Sequence, residues 1–426
     1  MVLKSNLIKD YEHSQIKWSD EIEFDSTRNL RQYTHRLFNR YPARSINLVP
    51  KAILKNVQER VGSNEAVRVL DPFMGSGTTA VEAILHRMIP YGVEIDPFAR
   101  LVSTVKVQAY DQEQLFVLQK IFAQINSSWQ DFEASETFIP QLEGIIHWFD
   151  DNNFRRLLQL KHAIYYICGQ NTQTLNFFRL VLADIIRPCS KAERQTLKPY
   201  ISKKYPKVPA DVAETWEKSF VSYFKVVEEY SKEIGYKSSE IVWLGNDAVN
   251  FSSGIISIDV AITSPPYINA LDYVRCIKLE SAWIDCGNDA SFAKLRKGHV
   301  GEAIRSENAL NDLVVEALES FTTQLDKVDK ARSRVVLSYF NDMLSNLRCT
   351  YNILRDGGEY HLIVGNSVIR GIEIPTHYIL ASLAKALGFK WFGYYQYKIK
   401  DHRTSIPRNG QGGKIETEHV ISLRKE

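Results

Sequence analysis

The sequence predicts an α/β protein built on a doubly wound, mostly parallel sheet, with a mostly helical insertion and a C-terminal β-hairpin. Three stretches carry that expectation. Val67-Arg68-Val69-Leu70-Asp71 is a β-rich run that breaks into a glycine loop, Pro72-Phe73-Met74-Gly75-Ser76-Gly77, and opens a helix at Thr78-Thr79. A second strand over 90–96 follows at once and ends in Glu94 and Asp96, about 20 residues past the glycine loop, where such sheets often hold a ribose. After a long helical interval the rhythm resumes at 240–247 and 257–267, two apolar runs ending in polar loops, as buried parallel strands do.

Between these halves the α/β pattern stops. Residues 111–238 read mostly as helices and are taken as an inserted domain, leaving 1–110 and 239–426 to form the sheet domain. Within the insertion, 187–207 holds seven Lys/Arg, among them Lys191, Arg194, Lys198, Lys203 and Lys204, against Glu193 alone, interleaved with Tyr200 and Tyr205. That mixture suits a phosphate backbone with stacked bases, and equally a solvated, proline-broken loop. Beyond the second half's strands come a helical passage with a basic, glycine-containing segment at 294–299 and a helix over 337–354. Asp356-Gly357-Gly358 then reads as a turn into a strand over 359–365. Alternating runs at 389–397 and 417–423, separated by a Gly/Pro/Arg loop, form the hairpin.

Composition narrows the class. At 426 residues, 44% hydrophobic and 24% charged, the chain is globular, and disordered or low-complexity classes are excluded. No run approaches the roughly 18 apolar residues of a membrane span, and the first residues lack the apolar core of a signal peptide, so a cytosolic protein is expected. Five scattered cysteines without a C-x-x-C pair indicate neither a disulfide framework nor a zinc site. Ten histidines show no ligand spacing, so no metal is expected. A net charge of +3 identifies no polyanion partner by itself.

Ligands of open α/β sheets sit outside the carboxyl ends of the strands. Three polar clusters fall there: 71–79, 94–96 and 263–267. The glycine loop lacks the lysine that would meet nucleotide phosphates, and it is not G-x-G-x-x-G. Asp71 before the turn would repel a pyrophosphate but could accept a bond from an ammonium. In Thr263-Ser264-Pro265-Pro266-Tyr267, two prolines stiffen the backbone at a strand end, holding hydroxyl and carbonyl acceptors ready for an amine, while Tyr267 offers a π-face. A plain Pro-Pro turn packing a tyrosine on the core would look alike.

Together, Asp71-Pro72-Phe73-Met74-Gly75-Ser76-Gly77-Thr78-Thr79 and Thr263-Ser264-Pro265-Pro266-Tyr267 resemble the paired signature of S-adenosylmethionine-dependent DNA amino-methyltransferases. The resemblance covers roughly 30–110 and 238–426 and implies a Rossmann-like methyltransferase sheet acting on duplex DNA. It implies that the first loop binds the methionine part of S-adenosylmethionine, and that Ser264, Pro265, Pro266 and Tyr267 present the exocyclic amine of a flipped base. Transfer would be direct, without a cysteine nucleophile; Pro188-Cys189 lies in the helical stretch, away from any strand end. Ser264 at the head of S-P-P-Y leans, by resemblance, to cytosine N4 rather than adenine N6.

By the same resemblance Glu94 is the acid for the ribose hydroxyls, with Asp96 as rival, and Asp247 bonds the adenine amine unless it only caps a helix. Residues 33–44 look like the segment closing over the methionine carboxylate, with Thr34, His35 and Arg44 as candidates, or like a bland surface segment. Tyr273 and Arg275 could shape the base pocket or line the DNA, and Arg403 and Arg408, in the loop at 400–414, suit backbone contact as well as an ordinary hairpin loop does. The cofactor loop precedes the catalytic loop, a permuted order relative to members in which the catalytic loop comes first. Target recognition is placed in 111–238, with 285–335 able to share it. The leading expectation is a nucleoid-associated cytosine-N4 methyltransferase of a restriction-modification system, paired with a separate cognate restriction endonuclease. The alternatives are adenine N6, an RNA substrate, or a non-catalytic nucleic-acid-binding module on the same fold.

Overall fold

The computed structural model describes residues 32–42, 46–61, 66–194, 196–237, 239–254, 256–268, 272–301, 304–305, 310–399 and 415–426. Helix α1 (Leu48–Val61) precedes β1 (Arg68–Asp71), whose glycine loop opens α2 (Thr78–Leu85). Gly77 makes that start possible. It sits at φ 80°, and a Cβ there would lie 2.8 Å from the Ser103 Cβ. β2 (Ile89–Val93) follows, then α3 (Pro97–Val107), which starts with proline behind the Asp96 cap.

Four long helices come next: α4 (Gln112–Ser128), α5 (Asp151–Cys168), α6 (Thr172–Ile186) and α7 (Val212–Glu233). Each begins behind an Asp or Asn side chain (Asp111, Asp150, Asn171 and Asp211) that accepts from a first-turn N–H. The α/β rhythm returns with β3 (Val242–Gly245) and β4 (Ile258–Thr263), then α8 (Tyr273–Trp283), α9 (Asp289–Gly298), α10 (Asp312–Val328) and α11 (Lys330–Ile353). β5 (Leu354–Gly365), a small hairpin of β6 (Ser367–Ile369) and β7 (Ile372–Ile374), α12 (Thr376–Ala386), β8 (Phe389–Lys398) and β9 (Thr417–Lys425) complete the chain.

The seven-stranded sheet has the order β3-β2-β1-β4-β5-β9-β8, parallel from β3 to β5 and antiparallel at β9 and β8. This is the expected Rossmann-like α/β architecture with its C-terminal hairpin. Period-two alternation divides the two faces. Val69, Val260, Ile262 and Ile363 join the α1 residues Ile53, Leu54 and Val57, whereas Leu70, Ala261 and Leu362 join α10, α11 and α12. The Asp356-Gly357-Gly358 turn expected before β5 is instead a bulge within it, where pairing shifts from Ile258↔Leu354 to Val260↔Glu359. Helices α4 to α7 share one apolar cluster with α3 and α8, so the stretch 111–238 does not enclose a core of its own. No helix among the described residues is long and apolar enough to cross a membrane.

Because Gly77 combines positive φ with a closed approach to Ser103, Gly77→Ala is expected to lower unfolding free energy by about 2–3 kcal/mol. Chemical denaturation of the two proteins measures it.

Candidate active site

Strand order reverses between β1 and β4, and ligands of such a sheet bind in the crevice that opens there, beyond the strand ends. Asp71 closes β1 and Thr263 closes β4. The Thr263 hydroxyl donates to Asp71 Oδ1 at 2.6 Å, the Thr79 hydroxyl from α2 to Oδ2 at 2.7 Å, and the Phe73 N–H to Oδ1 at 3.0 Å. Burial pushes the Asp71 carboxyl up to about 6, and those three donors keep it from rising further. The carboxylate thus binds the glycine loop, the helix after it and the end of β4 into one unit.

Above this unit lies an open cleft lined by residues of all three polar clusters. Its floor is the glycine loop, with Asp71, Phe73, Gly75 and Ser76. Glu94 forms one wall: its Oε2 accepts from the Gly75 N–H at 2.6 Å and its Oε1 from the Asp96 N–H at 2.9 Å. Burial, with the neighbouring Asp96 charge, raises the Glu94 carboxyl to about 7 against those two bonds. Asp247 forms another wall, accepting from the Val249 N–H and pairing with Arg305 at 2.9 Å. Ser264, Pro266 and Tyr273 face the same space, and the Tyr273 ring meets His299 edge to face at 6.0 Å.

Most of the cofactor and catalytic residues expected from the sequence therefore meet in one cleft, Pro72 and Thr78 among them. Others do not line it, for identifiable reasons. Asp96 turns away to cap α3, accepting from the Phe98 N–H at 2.8 Å, which leaves Glu94 as the acid in the cleft. Thr79 and Thr263 spend their hydroxyls on Asp71, and Gly77 is packed on Ser103. Thr34 is fully buried outside the cleft, and His35 bonds Glu82 at 2.8 Å. The segment they belong to reaches the cleft through Tyr41 and Pro42 instead. Pro265 is buried, and Tyr267 stands behind the lining with its hydroxyl donated to Glu418. Arg44, Arg403 and Arg408 lie outside the described residues.

The basic stretch divides by role. Lys207 donates to the carbonyls of Arg187, Pro188, Ser190 and Ala192 at 2.8 to 3.1 Å, and burial brings its ammonium down to about 8. Lys207 is half-buried, whereas Arg187 is buried, pairs with Glu280 of α8 at 2.8 Å and donates to the Cys276 carbonyl. Arg194, Lys198, Lys203 and Lys204 are exposed and Lys191 half-buried, and Lys204 lies 5.2 Å from the Tyr205 ring centroid. The segment thus abuts α8, whose first residue, Tyr273, lines the cleft and whose Arg275 is exposed.

Sequence reasoning missed Gly298, His299, Val300, Arg305 and Asn246 in the lining. Gly298 carried a readable signal as the glycine of the basic segment: a Cβ there would lie 2.6 Å from Ile95 Cδ1. Among the described residues no cluster of three or more His, Cys, Asp or Glu could hold a metal. Burial raises the thiols of Cys168, Cys276 and Cys286 to about 12, and Cys189 to about 11, so none of the four is a ready nucleophile.

No family model matches the chain. Over most of its length it is similar to curated type II methyltransferases. M.MvaI of Kocuria varians is 23% identical across 93% of this chain and 90% of its own length, and M.BsoBI of Geobacillus stearothermophilus is 22% identical across 87% and 82%. A shorter match, 30% identical over 89 residues, joins 20% of this chain to 16% of M.MjaII of Methanocaldococcus jannaschii. These likenesses support a methyltransferase.

Glu94 loses its charge as pH falls through about 7. A hydroxylated cation such as S-adenosylmethionine is then expected to bind up to about tenfold more weakly at about pH 6 than at about pH 8, with Glu94→Gln weak at both. Calorimetric titration at the two pH values checks this.

Proposed function

We propose that the protein is a site-specific DNA methyltransferase. It transfers the methyl group of S-adenosylmethionine to the exocyclic N4 amine of cytosine in duplex DNA, as the modification half of a restriction-modification system with a separate cognate endonuclease. The observation that carries this reading is the Thr263-to-Asp71 bond, which places the S-P-P-Y loop and the glycine loop on one cleft.

The residues present fit the cofactor. Asp71, Glu94 and Asp247 make a lining with no lysine among the described residues and with Arg305 already paired to Asp247, suited to a ligand carrying positive charge and hydroxyls rather than phosphates. Gly75, at φ 49°, holds the loop open toward Tyr41 with no side chain of its own in the space. When bound, S-adenosylmethionine supplies an electrophilic sulfonium methyl. Glu94 would hold the ribose hydroxyls and Asp247 the adenine amine, the latter sharing its carboxylate with Arg305. Pro72, Phe73, Ser76 and Thr78 would frame the methionine end. Ser264 would accept a hydrogen of the target amine, and the stiff Pro265-Pro266 backbone would hold that acceptor in place, so that alignment supplies most of the rate. Four buried thiols and a serine at the head of the loop are consistent with direct transfer to nitrogen. Tyr267 would stack the extruded base.

The exposed basic residues beside α8 would contact the DNA backbone, with target recognition residing in the helical stretch 111–238. Replacing Lys203 and Lys204 together with alanine is expected to weaken DNA binding alike for all sequences and to lower the salt slope by about 0.9 per lost phosphate contact. Fluorescence anisotropy across a salt series measures it.

The deciding experiment incubates the protein with labelled S-adenosylmethionine and mixed-sequence duplex DNA, followed by nucleoside digestion and mass spectrometry. N4-methylcytosine is the expected product; N6-methyladenine would overturn the reading of Ser264, and no methylated base would overturn the reaction. In the same assay Ser264→Ala is expected to lower kcat about a hundredfold with cofactor binding retained. Asp71→Ala is expected to weaken cofactor binding itself.

A further inference from the structure

Tyr267, proposed above to stack the target base, is tied at its far end to a strand two places away in the sheet. The loop carrying it follows β4, whereas Glu418 lies near the start of β9, and β5 runs between them. The connection passes over Gly365, which pairs directly with Glu418 across β5 and β9. A Cβ at Gly365 would be in ordinary contact with Tyr267 Cζ at 3.5 Å and would press on Ile415 Cγ2 at 2.5 Å, so the tyrosine ring lies directly against this position while glycine makes room for Ile415. At its end the Glu418 carboxylate takes two hydroxyls, Tyr267 on Oε1 and Tyr397 on Oε2. Tyr397 is the direct partner of Glu418 on the other side, in β8, and is buried. The other end of the tyrosine is confined as well: at Gly301, where φ is 86°, a Cβ would lie 3.2 Å from the Tyr267 carbonyl oxygen.

We propose that Glu418 is a positioning residue for methyl transfer: by holding the Tyr267 hydroxyl from β9 it sets the plane on which the target base stacks. The role rests on the function proposed above and adds to it a residue outside both sequence loops. A ring fixed only by its χ angles can tilt, whereas a ring also fixed at its hydroxyl offers a base one plane. A carboxylate suits this task, since it accepts from two hydroxyls at once and donates to neither. Tyr397 in turn keeps the carboxylate from swinging away. Sub-ångström alignment of amine, methyl and leaving sulfur is what such a ring protects.

The test is a mutant cycle on the full chain, with methyl transfer to duplex DNA, cofactor KM and melting temperature read for each variant. Glu418→Ala is expected to lower kcat by about tenfold or more, with cofactor KM unchanged. Tyr267→Phe, which loses the anchored hydroxyl and keeps the ring, is expected to fall by a similar factor. The double variant is expected to fall no further, because the two changes remove one contact. Glu418→Gln, which retains an acceptor for Tyr267, is expected to recover part of the rate. A wild-type kcat in Glu418→Ala, or losses that multiply in the double variant, would overturn the proposal while leaving the function intact. Should Glu418→Ala not fold, Tyr267→Phe decides alone, and a wild-type rate there overturns it. A wild-type protein that methylates no base in DNA would instead remove the proposed function, and this role with it.

Discussion

One buried carboxylate holds the site together. Asp71 accepts from a threonine on α2, a threonine at the end of β4 and a backbone N–H of its own loop, so three segments that differ in element and in sequence position share one acceptor. Removing either threonine would leave a buried carboxyl short of a partner, which costs more than the bond is worth in water. The arrangement also couples geometry to charge. The carboxyl that organises the loops also lines the cleft, and its pKa, raised to about 6, is the mark of its burial.

Local chemistry was legible wherever it is written in adjacent residues. The glycine loop, the Pro-Pro loop and the strands feeding them were readable because each needs particular residue types in a short window. The same holds for the C-terminal hairpin, whose alternation survives at the sheet edge. What escaped depends on partners far along the chain. Asp96 and Glu94 look equivalent in sequence, and only the start of α3 decides that one caps a helix while the other faces the cleft. Thr34 was misplaced similarly, because nothing local shows that its turn packs inward and leaves the cleft to Tyr41 and Pro42. Arg305 and His299 carry no spacing signal at all; they arrive with the segment after α9.

The basic stretch illustrates how composition can mislead about role. Seven cations in 187–207 look alike in sequence, yet Arg187 and Lys207 are internal fasteners, one held by a carboxylate and a carbonyl of α8, the other by a cage of four carbonyls. A charge buried this way costs solvation and is kept by its partners. The remaining cations stand outward on a scaffold that those two shape, next to the helix that opens onto the cleft. Surface charge and its placement are thus supplied by different residues of one segment.

The Asp71 and Thr263 contact spans 192 positions of sequence, with the whole helical layer between its ends. Closing so long a loop is costly in chain entropy until the intervening residues have condensed, and contacts of this kind govern folding speed more than final stability. The helices between β2 and β3 share their apolar cluster with α3 and α8, so their burial too waits on the segment after β4. The cleft can close only when β4 has docked beside β1. The pocket and the buried face of the helical layer therefore both depend on chain that follows β4, and a ligand that recognises the pocket would bind only once β4 is in place.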